Sequence, residues 1–255
     1  MTDLTGHNPR GRFTGLAELY ARCRPDYPAA AIDWIVARCG LGPGSLLVDV
    51  GCGTGISARQ LAARGIPVIG VEPNADMRRQ AEAAGGPPHL RYHPGTAEAT
   101  GLPDGVADTV LAAQAFHWFD APAALAEFHR LLRPDGWAVL VWNERNERDP
   151  ATAAYGAVLT SAPGASTIES ERFRAGRALL ESPLYQDGEV RAFAHSQPLD
   201  DDGLVGRAFS ASYAPREAPH AEAFEKALRD VFARYQRDGV FDLRYVTTVY
   251  LARRR

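Results

Sequence analysis

The run Leu46-Leu47-Val48-Asp49-Val50 ends in three glycines at alternate positions, Gly51, Gly53 and Gly55. This pattern limits the possible folds more than any other stretch of the chain. An apolar run without polar alternation reads as a strand buried on both faces, as in a parallel sheet covered by helices. The glycines predict a sharp turn into a helix that starts near Ile56 and covers 57–64. Without Cβ atoms they permit positive φ and let a ligand approach the backbone. In open α/β sheets, ligands bind outside the carboxyl ends of the strands, where this turn would lie.

A second acid strengthens the pattern. Residues 67–71 (Pro-Val-Ile-Gly-Val) read as the next strand, with Glu72 at its tip. A carboxylate there can accept both hydroxyls of a ribose, a device that dinucleotide-binding sheets share. The dinucleotide fingerprint, however, is G-x-G-x-x-G with pyrophosphate on the helix N-terminus. Here the spacing is G-x-G-x-G, Asp49 precedes it, and Ile56 follows. An acid at the base of the loop suits an ammonium better than a pyrophosphate. A nucleoside joined to an amino acid, with no phosphate, describes S-adenosylmethionine.

These segments resemble class I S-adenosylmethionine-dependent methyltransferases. Val48–Gly55 resembles their first motif, and Gly70-Val71-Glu72-Pro73-Asn74-Ala75-Asp76-Met77 their ribose and adenine segment. The likeness continues through Gly95-Thr96-Ala97-Glu98, Gln114–Phe119 and Leu132–Gly136. The nearest branch is similar to the trans-aconitate and ubiquinone-biosynthesis enzymes, which act on small molecules. The resemblance implies a cofactor set of Tyr20, Arg24, Asp49, Gly51, Cys52, Gly53, Glu72, Pro73, Met77, Thr96, Ala97 and Gln114. Within it, Tyr20 and Arg24 would hold the methionine carboxylate, and the Gln114 carbonyl would accept from the ammonium. Thr96 is a departure, because the family usually has Asp there for the adenine amino group, and a hydroxyl accepts more weakly.

The implied fold class is α/β: a doubly wound, Rossmann-like, seven-stranded and mostly parallel sheet with a reversed last strand. Helices cover both faces, and a small cap is inserted. Strands three to five are expected near 90–93, 108–113 and 137–142, strand six near 189–195 and the reversed strand at 245–252. Helices are expected at 29–39 and 221–237. A single domain results, with a lid and cofactor core at 1–142, a substrate cap at 143–188 and the rest of the core at 189–255. The cap reading rests on arginines and acids clustered around the Ser161-Ala162-Pro163-Gly164 turn. A surface insertion with solvated charges would carry the same composition.

Catalytic residues are less legible than the cofactor site. Methyl transfer is an in-line displacement in which the protein mainly orients the reactants and excludes water. A base is needed only where the acceptor must lose a proton. His117 is a candidate for that role, or else a structural hydrogen-bonder within its aromatic neighbourhood. Glu169 and Glu171 are candidates for taking a proton after carbon methylation. Trp118, Arg172 and Arg207 are candidate substrate contacts, the arginines suiting an anionic handle. The expected activity is O- or C-methylation of a small, anionic acceptor. The alternatives are a non-methylating protein of the same fold, a small-molecule binder or, disfavoured by the glycine spacing, a nicotinamide-dependent oxidoreductase.

Composition narrows the partners. The chain has 255 residues and a formal net charge of −3, without the basic footprint expected of a nucleic-acid-binding domain. No apolar run approaches the length of a membrane span, and the first residues lack the apolar core of a signal peptide. A cytoplasmic monomer or homodimer, engaging neither nucleic acid nor membrane, is expected. Cys23, Cys39 and Cys52 are odd in number and widely spaced, so neither a disulfide framework nor a zinc site is expected. His89 and His93 stand too far apart to share a metal, and none is expected.

Overall fold

The computed structural model describes residues 17–161, 175–211 and 213–255. Seven strands form one sheet: β1 (Leu47–Val50), β2 (Val68–Val71), β3 (Leu90–His93), β4 (Ala107–Ala113), β5 (Leu132–Arg145), β6 (Tyr185–Leu199) and β7 (Phe241–Arg254). Their order is β3-β2-β1-β4-β5-β7-β6. The first five run parallel, while β7 lies antiparallel between β5 and β6. Chain order reverses between β1 and β4, so their carboxyl ends open a crevice at the topological switch point. Glycine loop and crevice therefore coincide.

Side chains of successive strand residues alternate between the two sheet faces, and both faces are covered. Val48, Val110 and Leu140 pack with Phe128 and Leu131 of helix α5 (Ala121–Leu131). Their neighbours Leu47, Leu111 and Val139 pack on the other face. There they meet Ile32 and Ile35 of α2 (Ala29–Arg38) and Ala58 and Leu61 of α3 (Ile56–Ala62). This double cover is why the β1 sequence is apolar on both alternations. Helix α1 (Ala17–Cys23) precedes α2, and α4 (Ala75–Ala83) follows β2. Asn74 caps α4 by accepting from the amides of Asp76 and Met77 at 2.9 and 3.1 Å. Such caps fix where a helix begins.

Two regions differ from the sequence expectation. Strand β6 spans fifteen residues rather than seven. Gly188 and Pro198 disguise it, since both are weak strand residues. They are tolerated because β6 lies at the sheet edge and pairs only with β7. The second difference lies between β5 and β6. Asn143 to Arg145 extend β5, and Tyr185 to Gly188 already belong to β6, which shortens the insertion at both ends. Its helix α6 (Pro150–Thr160) is a core element: Tyr155 and Leu159 are buried with α7 (Asp201–Phe209), α8 (His220–Tyr235) and the ends of β6 and β7. No helix among the described residues is long and apolar enough to cross a membrane.

Candidate cofactor and acceptor site

A cavity of about 720 Å³ opens at the carboxyl ends of β1, β2 and β4. The glycine loop forms its floor. Gly51 has φ of 69°, and a Cβ there would stand 2.8 Å from both Ala115 Cβ and Phe119 Cζ. Conformation and space therefore both require glycine at this position. Gly53 has φ of 56°, but a Cβ would meet nothing within 4 Å. The open space beside Gly53 is the space a ligand would occupy.

Glu72 joins the loop to the next helix. One carboxylate oxygen accepts from the Gly53 amide at 3.0 Å, and the other from the Asn74 amide at 2.9 Å. Burial raises its pKa, and the Asn74 and Gly53 amides oppose that rise. An ionised carboxylate offers about four lone-pair sites, so two backbone donors leave capacity for a diol. Gln114 follows the last residue of β4 with φ of 57°, a left-handed conformation uncommon outside glycine and enriched at functional sites. Its amide nitrogen donates to the Asn143 carbonyl at 3.0 Å, locking the side chain against β5.

Of the sequence candidates, Tyr20, Gly51, Cys52, Gly53, Glu72, Pro73, Met77, Thr96, Ala97, Gln114 and Trp118 all line this one cavity. Cys52 is buried there, with its Sγ 2.8 Å from where a Gly70 Cβ would be. The Thr96 hydroxyl accepts from the Ala99 amide at 3.2 Å, which holds the turn in place. Tyr27, Ser57, Glu98, Phe119 and Asp120 line the cavity as well. The sequence could have pointed to Glu98, one residue past the Thr96-Ala97 pair, but nothing local singles out the others.

Four candidates do not line the cavity. Asp49 is fully buried beneath the loop, where it accepts from the Ser57 hydroxyl at 2.6 Å. Burial pushes its pKa up to about 7, Ser57 pulls it down and Glu72 pushes it further up. Asp49 thus braces the start of α3 instead of facing a ligand. Arg24 stacks over the Tyr20 ring, 4.6 Å from its centroid, and donates to the Ser210 carbonyl at 3.0 Å. His117 is buried in a short helical turn (Phe116–Trp118), and its Nδ1 lies 3.4 Å from Trp142 Nε1. That turn aims its ring at the core while Trp118 and Phe119 take the cavity wall. Arg207 is buried beneath Tyr245. Glu169, Glu171 and Arg172 lie outside the described residues.

The charge of the wall is distinctive. Glu72, Glu98 and Asp120 line it, and its described residues include no lysine, arginine or histidine. Such a wall favours a cationic ligand and penalises a pyrophosphate. Among the described residues, no three His, Cys, Asp or Glu side chains gather into a metal site. The His89 ring instead meets the Ala62 carbonyl at 2.8 Å.

Comparison with known proteins agrees with this geometry. Residues 48–140 match the methyltransferase-domain family. A methyltransferase of Mycobacterium tuberculosis, itself uncharacterised, is 42% identical over 136 residues, or 53% of this chain and 54% of the relative. The malonyl-[acyl-carrier protein] O-methyltransferase of Serratia marcescens is 34% identical over 143 residues, or 52% and 54%. The chain thus spans about half the length of these relatives. A solved structure from Anaeromyxobacter dehalogenans, provisionally assigned as a type II methyltransferase, superposes with a TM-score of 0.62 at 26% identity. That superposition covers 91% of this chain and 97% of the other. Residues 48–140 are thus similar to a methyltransferase domain, a class whose cofactor is S-adenosylmethionine, and the fold around them is that of the Anaeromyxobacter structure.

Proposed function

We propose that the protein transfers the methyl group of S-adenosylmethionine to oxygen or carbon of a small, anionic acceptor. The observation that carries this reading is the acidic cavity at the switch point, where the open face of Gly53 and the Glu72 carboxylate meet. Glu72 would hold the ribose hydroxyls. The Gln114 carbonyl would accept from the ammonium, and Met77, Thr96 and Ala97 would flank the adenine. When bound, the cofactor supplies a methyl group on a positively charged sulfur. Tyr20, Trp118 and Phe119 form an aromatic wall that would exclude water and orient the acceptor for in-line attack. His117 has no part as a base in this account, because its ring faces the core. Where the acceptor must lose a proton, Glu169 or Glu171 is proposed to take it, and Arg172 to engage an anionic handle.

The reading draws on the Serratia relative, whose name records O-methylation of a malonyl group. The test is incubation with methyl-tritiated S-adenosylmethionine and a panel of carboxylates, phenols and enols. Label transfer to at least one acceptor, lost on heat denaturation, is expected. Transfer to none, with cofactor binding intact, would favour a non-methylating binder.

A further inference from the structure

A second cluster of buried polar groups lies beyond the cofactor cavity, where α6, α7 and β7 meet. Arg207 of α7 is 7% exposed. Its Nε donates to the Tyr245 hydroxyl at 3.1 Å, and its guanidinium lies 5.9 Å from the centre of that ring. Among the described residues, no carboxylate pairs with it and no acceptor takes its terminal nitrogens. The Tyr155 hydroxyl, which feels the Arg207 charge, is fully buried and unpartnered. Arg145 stands opposite Tyr245 on β5, but it is paired with Glu147 at 3.6 Å. A buried guanidinium with a single neutral partner is left with most of its desolvation cost uncompensated, and an unmade buried hydroxyl bond adds to that cost.

The position of the cluster explains why it would be kept. Arg145 is two residues beyond Asn143 on β5, about 7 Å at the rise of a strand. The Asn143 carbonyl takes the side chain of Gln114 from the cofactor cavity. On the other side, Arg24 bridges the Ser210 carbonyl to the ring of Tyr20, which lines that cavity. Two short chains of contacts therefore join the cluster to residues of the cavity wall.

We propose that Arg207 and Tyr155 form the seat for a carboxylate of the methyl acceptor, with Tyr245, whose hydroxyl donates to Gln197 Oε1 at 3.1 Å, holding Arg207 in place. This rests on the methyl-transfer reading above. One uncompensated guanidinium balances one negative charge, and its terminal nitrogens form a fork that matches a carboxylate. The phenol of Tyr155 supplies a further donor. The seat lies apart from the three acids of the cofactor cavity, so an anionic acceptor would keep its charge away from them.

The test is titration of the protein with succinate, with uncharged succinamide and with inorganic phosphate, each with and without saturating S-adenosylhomocysteine. Succinate is expected to bind at least tenfold more tightly than succinamide. Arg207→Gln and Tyr155→Phe should each weaken succinate at least tenfold and leave S-adenosylhomocysteine affinity unchanged. Tyr155→Phe keeps the ring and reports on the seat even if Arg207→Gln fails to fold. Equal binding of succinate and succinamide, tighter binding of phosphate, unaltered affinity in the folded variants or no binding of succinate would each overturn the proposal. Failure of S-adenosylhomocysteine to bind would instead sink the methyl-transfer reading, while the seat is judged on the succinate–succinamide contrast alone.

Discussion

Replacing Glu72 by Gln separates cofactor binding from folding. In the native protein, both carboxylate oxygens accept backbone amides, from Gly53 at 3.0 Å and Asn74 at 2.9 Å. Glutamine keeps one acceptor and turns the other into a donor that faces a donor. A hydrogen bond to a charged group contributes about 1.5–3 kcal/mol, and a neutral one about 0.5–1.5. The ribose contact should therefore weaken by about 1–2 kcal/mol, and the misfitted loop adds to the loss. A total near 2 kcal/mol corresponds to roughly a 30-fold rise in Kd for S-adenosylhomocysteine. Stability should fall by less than affinity does, about 1 kcal/mol for the lost backbone bond, because burial already penalises the ionised carboxylate of the unliganded protein. Isothermal titration gives the first quantity and thermal unfolding the second. An affinity within threefold of the parent would show that Glu72 does not hold the ribose.

Gly51→Ala should destabilise the fold by about 2–4 kcal/mol in a denaturant melt. It combines a left-handed backbone with overpacking against Ala115 and Phe119; a loss below 0.5 kcal/mol would contradict this. Asp49 has a folded pKa of about 7, raised from an unfolded value near 4. The native state therefore binds the extra proton, so this group's contribution to stability falls as pH rises from about 4 to about 7. Parent-minus-Asp49→Asn stability should decline across that window in urea melts, and a flat difference would refute the assignment. His117→Asn should lower the melting temperature through its lost contact with Trp142, yet leave cofactor affinity within twofold. A large loss of affinity would place His117 at the cavity after all.

The glycine-loop side of the cavity is legible in the sequence because it is local. A glycine turn needs its φ values and its open faces within five residues, and Glu72 follows at the tip of the next strand. Side-chain direction was not readable. Asp49 lies in a strand whose four residues are all buried, so no polar alternation shows that its carboxylate turns under the loop to Ser57. The fate of His117 was set by Trp142, a strand away, and Arg24 turned toward Ser210 just past the end of α7. The charges of the insertion concealed the packing of Tyr155 and Leu159 of α6 against α7 and α8, which depends on contacts distant in sequence. Gly188 and Pro198 make β6 look shorter in the sequence than it is, because their cost vanishes at a sheet edge.

The most direct test of the central claim is isothermal titration of the protein with S-adenosylmethionine, using NADH as the control. The acidic cavity predicts saturable binding of S-adenosylmethionine at one site in the micromolar range and no heat from NADH. Binding of NADH in its place would mean that the glycine loop cradles a pyrophosphate despite its acidic wall, and would contradict the account.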